Sequence, residues 1–171
     1  MISGLPGSGK STLAHLLGEE LGFPVIDKDD FLEGLLGSAT EFDAEFRSKS
    51  SREADKHLET AVRAAGDAIL VSHWRRPGDL LESGTPTEWL GEFDGVIEIV
   101  CRCSAMTAVH RFTNRNRHPG HGDATKDTTE LLQWFENDSL KGPLGIGSLI
   151  TVDTETVVDI KKLALECRQL A

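Results

Sequence analysis

Eight residues near the start of the chain, Gly4-Leu5-Pro6-Gly7-Ser8-Gly9-Lys10-Ser11, fit the pattern G-x-x-x-x-G-K-[ST] in full. Glycines let successive backbone N–H groups curl around a phosphate, and a helix that starts directly after the loop turns its positive N-terminus toward the same anion. Lys10 can then reach the β- and γ-phosphates of a nucleotide, and the Ser11 hydroxyl can ligate Mg²⁺. Gly4, Pro6, Gly7, Ser8, Gly9 and Thr12 complete the expected nucleotide-binding set. The competing reading is a glycine-rich turn with no ligand. The full motif and the helix after it argue against that, so ATP and Mg²⁺ are the expected cofactors.

Asp27-Lys28-Asp29-Asp30-Phe31 is the second group with chemical potential. In an open parallel sheet, ligands bind beyond the carboxyl ends of the strands, so a cluster after the second strand faces the phosphate loop. Mg²⁺ prefers carboxylate and phosphate oxygens, and an attacking hydroxyl needs a carboxylate to take or orient its proton. Asp29 is the candidate base and a candidate metal ligand beside Ser11. Asp27 is the weaker candidate, for substrate or metal. Helix capping by Asp27 or Asp29 is the alternative account.

The third group is cationic. The chain carries a formal charge of −10, yet residues 99–122 contain no Asp or Glu and include Arg102, Arg111, Arg115 and Arg117, so this stretch carries +4 and the remainder −14. An acidic surface repels nucleic acid and anionic membranes, whereas one local cationic stretch suits one anionic ligand. Read as helix, Arg111, Arg115 and His118 fall at i, i+4 and i+7 on one face, where two guanidiniums can converge on an anion. A solvated basic helix face is the blander reading.

These groups need a scaffold. A chain of 171 residues without internal repeats or linkers makes one domain, 1–171. Leu13, Leu16, Leu17 and Leu21 have helical spacing, and Gly22 stands where a helix ends. Strands are expected at 23–26, 68–71, 95–101 and 148–152, with helices at about 41–65, 104–116, from 128 onward, and at 156–170. Short apolar strands alternating with helices mean a parallel sheet. Only Met1, Ile2 and Ser3 precede Gly4, although a central strand usually has about 5–6 residues. The favoured explanation is that the natural chain starts further upstream, so that added apolar residues there should raise stability and ATP affinity. Cys101, Cys103 and Cys167 lack metal or disulfide spacing and are expected to be reduced, partly buried thiols of a cytoplasmic protein.

On the loop Gly4–Ser11, the cluster Asp27–Asp30 and the arginine segment, the sequence resembles the small-molecule and polynucleotide kinases of the P-loop superfamily. Among them are polynucleotide 5′-hydroxyl kinases and chloramphenicol phosphotransferases, within the AAA-like and zeta-toxin-like group. The resemblance implies a three-layer α/β fold with a five-stranded parallel sheet in the order 2-3-1-4-5, and an arginine-bearing lid at about 111–127. It also implies a base at Asp29, and Lys10, Arg111, Arg115 and Arg117 around the phosphates.

Two departures stand out. Ser72 and His73 follow the third strand, where many P-loop proteins carry a metal-binding Asp, which makes a motor-type hydrolase the wrong expectation. Trp74 and Arg75 lie where related kinases receive their acceptor. Trp74 could stack on a ring and Arg75 bind an anion, or they are a buried Trp and a surface arginine. Trp89 and Trp134 read as packing residues. The resulting expectation is an ATP-dependent kinase acting on a small-molecule hydroxyl, with no membrane segment. The alternatives are a polynucleotide 5′-hydroxyl kinase and a non-catalytic ATP-binding regulatory module.

Overall fold

The computed structural model describes residues 1–37, 43–76, 78–80, 83–116, 118, 121 and 127–171. Strands β1 (Ile2–Gly4), β2 (Val25–Asp27), β3 (Ile69–Val71), β4 (Ile97–Arg102) and β5 (Ser148–Asp153) form one parallel sheet in the order β2-β3-β1-β4-β5. All of β3 is buried, because apolar helices cover both faces. Helices α1 (Lys10–Leu21) and α6 (Ile160–Leu170) pack on one face through Leu13, Leu17, Leu163 and Ala164. On the other face lie α3 (Ala44–Ala65), through Leu58 and Val62, and a 3₁₀ turn (Glu88–Glu92). A third cluster joins α4 (Ala105–Asn114) to α5 (Thr128–Ser139) through Phe112, Leu131 and Phe135, with Leu5 of the phosphate loop inserted. The loop is thus clamped to α4 and α5 by packing.

The acidic cluster opens a helix, α2 (Lys28–Leu36), as the capping alternative has it. Two local outcomes differ from the sequence expectations. The long helix after α2 starts at Ala44, where the Asp43 carboxylate caps Phe46 N at 2.6 Å. Helix α4 stops at Asn114, short of the expected 116, and Arg115 is extended at φ −78°, ψ 142°. The physical reason lies in its last turn: Asn114 Nδ2 donates to His110 O at 2.7 Å and Thr113 Oγ1 to Val109 O at 3.0 Å, so side chains compete for the carbonyls there. Arg111, Arg115 and His118 therefore do not share one helical face. Of the expected lid, Arg117 and residues 119–120 and 122–126 lie outside the described residues.

Cys101 and Cys167 are buried and Cys103 half-buried, and all three are free. Burial pushes the Cys101 thiol up to about 12, which makes it an unreactive packing group. Among the described residues no helix is long and apolar enough to cross a membrane.

Candidate active site

The phosphate loop is held by backbone conformations that require glycine at two positions. Gly7 has φ +81° and its Cα faces the Ala108 carbonyl of α4 so closely that no Cβ fits. Gly9 has φ +88° and caps α1. A Cβ there would meet nothing nearer than Thr154 at 3.7 Å and Arg111 Nη1 at 3.9 Å, which leaves a cradle open toward the arginine. Ser8 lies beneath the loop with its hydroxyl buried and unbonded among the described residues. Its carbonyl accepts the Thr154 hydroxyl at 2.7 Å, tying the loop to the end of β5.

Lys10 Nζ donates to the loop's own carbonyls, Gly4 O at 3.0 Å and Leu5 O at 2.9 Å. Burial lowers its pKa below the usual lysine value, opposed by the charges of Asp29 and Asp27 and reinforced by Arg115. An ammonium held in this way gains from a phosphate in the cradle, which restores the electrostatic solvation that burial removed.

The Ser11 hydroxyl donates to Asp27 Oδ2 at 2.8 Å. The other oxygen, Asp27 Oδ1, accepts Asp29 N at 3.0 Å and caps α2. The capping alternative for the acidic cluster is therefore correct for Asp27, and the same carboxylate also stands beside the loop serine. Asp29 is the second residue of the helix and is half-buried at the cleft wall.

These groups line one cleft of about 510 Å³, with Pro6, Gly7, Gly9, Lys10, Ser11, Thr12, Asp27, Asp29, Arg111 and Arg115 on its walls. The size is that of a typical small-molecule site. Arg111 Nη2 donates to Thr154 O at 3.0 Å, and Arg115 stacks its guanidinium 4.1 Å from the Phe112 ring centroid. Both arginines thus reach the cleft from different backbone conformations. Asp153 ends β5 in an Asx turn, accepting Glu155 N at 2.8 Å.

Lys28 lines the same cleft but is committed to a buried network. Its Nζ lies 2.6 Å from Asp55 Oδ1, which also accepts the Thr85 hydroxyl at 2.7 Å, while Thr85 and Ser72 share a hydrogen bond of 2.5 Å. Arg52 adds a 3.4 Å contact to Asp55 Oδ2. Burial lowers the Lys28 pKa, with Asp55 opposing. This network ties the start of α2, which carries Asp29, to α3 and the end of β3.

The structure does not bring Trp74 and Arg75 to the cleft. Trp74 is a core residue at 5% exposure, and its indole N–H donates to Ile2 O at 2.7 Å. Arg75 turns to Glu88, bonding both carboxylate oxygens at 2.8 and 3.0 Å. The ring and the imidazole that do line the cleft are Trp134 and His73. Trp134, three residues after Leu131 and next to Phe135, sits on the flank of the core face of α5, where it is 39% exposed and lines the cleft. His73 is exposed to the cleft, yet its pKa is lowered, first by burial and then by Lys10. A group in a concave wall stays reachable by solvent while losing much of its hydration.

Sheet order, phosphate loop and cleft together define the α/β P-loop kinase fold. A family model described as an AAA domain matches residues 1–133, and the chain belongs to that family. Over 99% of its length the chain is similar to a crystal structure from Chloroflexus aurantiacus provisionally assigned as a kinase, at 26% identity and TM-score 0.75, covering 96% of that chain. It is similar in fold to shikimate kinase from Bacteroides thetaiotaomicron, at 15% identity and TM-score 0.60, over 99% of this chain and 95% of that one. A sugar kinase from Janibacter sp. HTCC2649 shares the fold at 20% identity and TM-score 0.56, over 99% and 93%. No curated protein sequence matches the chain.

Proposed function

We propose that the protein is an ATP- and Mg²⁺-dependent kinase that transfers the γ-phosphoryl group to a hydroxyl of a small molecule. The observation that carries this reading is the Ser11–Asp27–Asp29 chain of hydrogen bonds in the cleft that also holds Lys10, Arg111 and Arg115. The likeness to the Chloroflexus protein provisionally assigned as a kinase supports the class.

The residues fit the expected cofactors. Ser11 and Asp27 are the pair that would hold Mg²⁺, which usually takes one or two protein ligands and completes its shell with phosphates and water. Bound there, the ion would supply neutralising charge for the phosphates. The metal role expected of Asp29 thus passes to Asp27, which leaves Asp29 as the base. Asp29 takes the acceptor's proton as the acceptor oxygen bonds to γ-phosphorus and the bond to the bridging oxygen breaks, releasing ADP. Lys10 and the loop amides hold the phosphates, and Arg111 and Arg115 face the charge spread over the transferring group. Arg117 is proposed only as a further lid contact.

The test is a screen of hydroxylated metabolites, antibiotics and oligonucleotides for acceptor-dependent ADP formation. Release of ADP with a small hydroxylated molecule supports the reading. Transfer only to oligonucleotides would favour the polynucleotide alternative, which the −14 charge outside residues 99–122 opposes. Tight ATP binding with no turnover in any mixture would leave a regulatory module.

A further inference from the structure

We propose that the indole of Trp134 is the platform on which the acceptor ring lies, and that the acceptor is a cyclic polyol, a sugar or cyclitol. The inference rests on the kinase reading above and names the substrate class of that site.

The burial of α5 is uneven on the side that meets the cleft. Leu131 and Phe135 are 3% and 0% exposed and supply the helix's core face, while Trp134 is 39% exposed and lines the cleft. The other two tryptophans of the chain are buried, at 5% and 8%. An indole left half in water forgoes hydrophobic stabilisation, and a ligand laid on it recovers that area.

The ring is also fixed in place. Its centroid lies 5.0 Å from that of Phe135 at 57°, and 6.2 Å from the His73 imidazole at 62°. A platform held on two sides loses little conformational freedom when a ligand arrives.

The strand register connects this aromatic wall to the proposed base. Asp27 of β2 pairs with Val71 of β3. Beyond that pair the chain runs into α2, which carries Asp29, and on to His73, and both residues line the same cleft as Trp134. His73 and Trp134 make its aromatic wall. Lowered below the ordinary histidine value, the imidazole is neutral at pH 7 and offers a ring edge with one donor and one acceptor, not a second cation beside Lys10. Asp29, Ser51 and Arg52 add hydrogen-bonding groups to the same cleft. A slot with an apolar aromatic wall and a polar wall matches a saturated ring that shows C–H bonds on its face and hydroxyls at its rim. An open-chain polyol has no flat face to stack, and a nucleobase lacks the rim of hydroxyls that the polar wall can bond.

Calorimetric titration of the protein saturated with Mg²⁺ and β,γ-imido-ATP tests this. The probes are methyl glucopyranoside and inositol, with sorbitol as the open-chain control and adenosine as the nucleoside control. Saturable binding of a cyclic probe, weakened about 10-fold or more in Trp134→Ala and retained within about threefold in Trp134→Phe, is the expected result. Nucleotide affinity should be equal in all three proteins, which also shows that the variants fold. The proposal is overturned if no cyclic probe binds, if affinity ignores residue 134, or if sorbitol or adenosine binds better. Because the titration reads binding, the two readings can fail separately. A cyclic probe that binds through Trp134 but never yields ADP upholds the platform and removes the kinase reading. ADP release with an acceptor whose KM ignores residue 134 does the opposite.

Discussion

Ser11 and Asp27 are joined across 2.8 Å by a hydrogen bond from the serine hydroxyl to the carboxylate, which links the first turn of α1 to the end of β2. Burial raises the Asp27 pKa above the usual aspartate value of 3.8, against the opposing hydrogen bonds from Asp29 N and Ser11. A folded-state pKa raised in this way means that the folded protein holds the proton more tightly than the unfolded chain. The contribution of Asp27 to stability is therefore greatest below pH 3.8 and declines as pH rises through its folded-state value. At neutral pH the charge is a destabilising feature kept for the site.

Asp27→Asn should leave the melting temperature at pH 7 unchanged or raised, because asparagine caps a helix as well as aspartate does. Mg²⁺-dependent turnover should fall about 10–100-fold. Thermal unfolding and a Mg²⁺ titration of the rate check both halves. A melting temperature lowered by several degrees would contradict the account of the charge.

Lys10→Ala and Asp29→Asn should separate binding from chemistry. Both variants are expected to lose transfer, Asp29→Asn by about 10²–10⁴-fold as for a removed general base. Only Lys10→Ala should greatly weaken ATP binding, since the role proposed for Asp29 is toward the acceptor. Full turnover in Asp29→Asn would remove it as the base.

The two loop glycines should respond differently to alanine. Gly7→Ala combines a left-handed backbone with a collision against the Ala108 carbonyl, so it should destabilise the fold by more than the ~1–2 kcal/mol of the backbone term. Gly9→Ala meets only that term, and its methyl points toward Thr154 and Arg111. Its principal effect should be on nucleotide affinity. Denaturant unfolding beside ATP titration distinguishes them, and equal stability losses would refute the assignment of the two roles.

Arg111→Ala and Arg115→Ala should each slow transfer, by up to about 10³-fold for the one that contacts the transferring group. ATP affinity should change far less than turnover. Single-turnover rates identify which guanidinium matters more, and unchanged rates in both variants would exclude them from the chemistry.

Lys28 and Asp55 form a buried pair whose members should not be removed singly. Asp55→Ala strands the Lys28 ammonium and is expected to cost ~3–5 kcal/mol. Adding Lys28→Met should restore part of that loss, a coupling that a double-mutant cycle measures directly. Additive losses would show that the 2.6 Å contact carries no interaction energy.

Much of this molecule is readable from residue order alone. The phosphate loop is a local device: its glycines, lysine and following helix are contiguous, and their geometry follows from backbone sterics and helix polarity over a dozen residues. The caps at Gly22 and Ser104 follow the same local logic, since cap residues and helix ends report on themselves, whereas the sheet order, which pairs Ile2 with Ile99, was implied only by the family resemblance. The early end of α4 was less legible. It depends on Thr113 and Asn114 taking carbonyls from their own helix, a competition that periodicity does not register.

Tertiary structure decided which of several similar side chains face the cleft. Trp74 and Trp134 are the same residue type near plausible sites. Trp74 is held in the core by a hydrogen bond to Ile2, 72 residues away, while Trp134, on the flank of the core face of its helix, meets His73 from the end of β3 and lines the cleft. Asp27 rather than Asp29 meets Ser11 because β2 delivers it to the first turn of α1. Such choices depend on what packs against each residue from distant parts of the chain, so sequence specified the phosphate-binding device and only the assembled sheet specified what surrounds it.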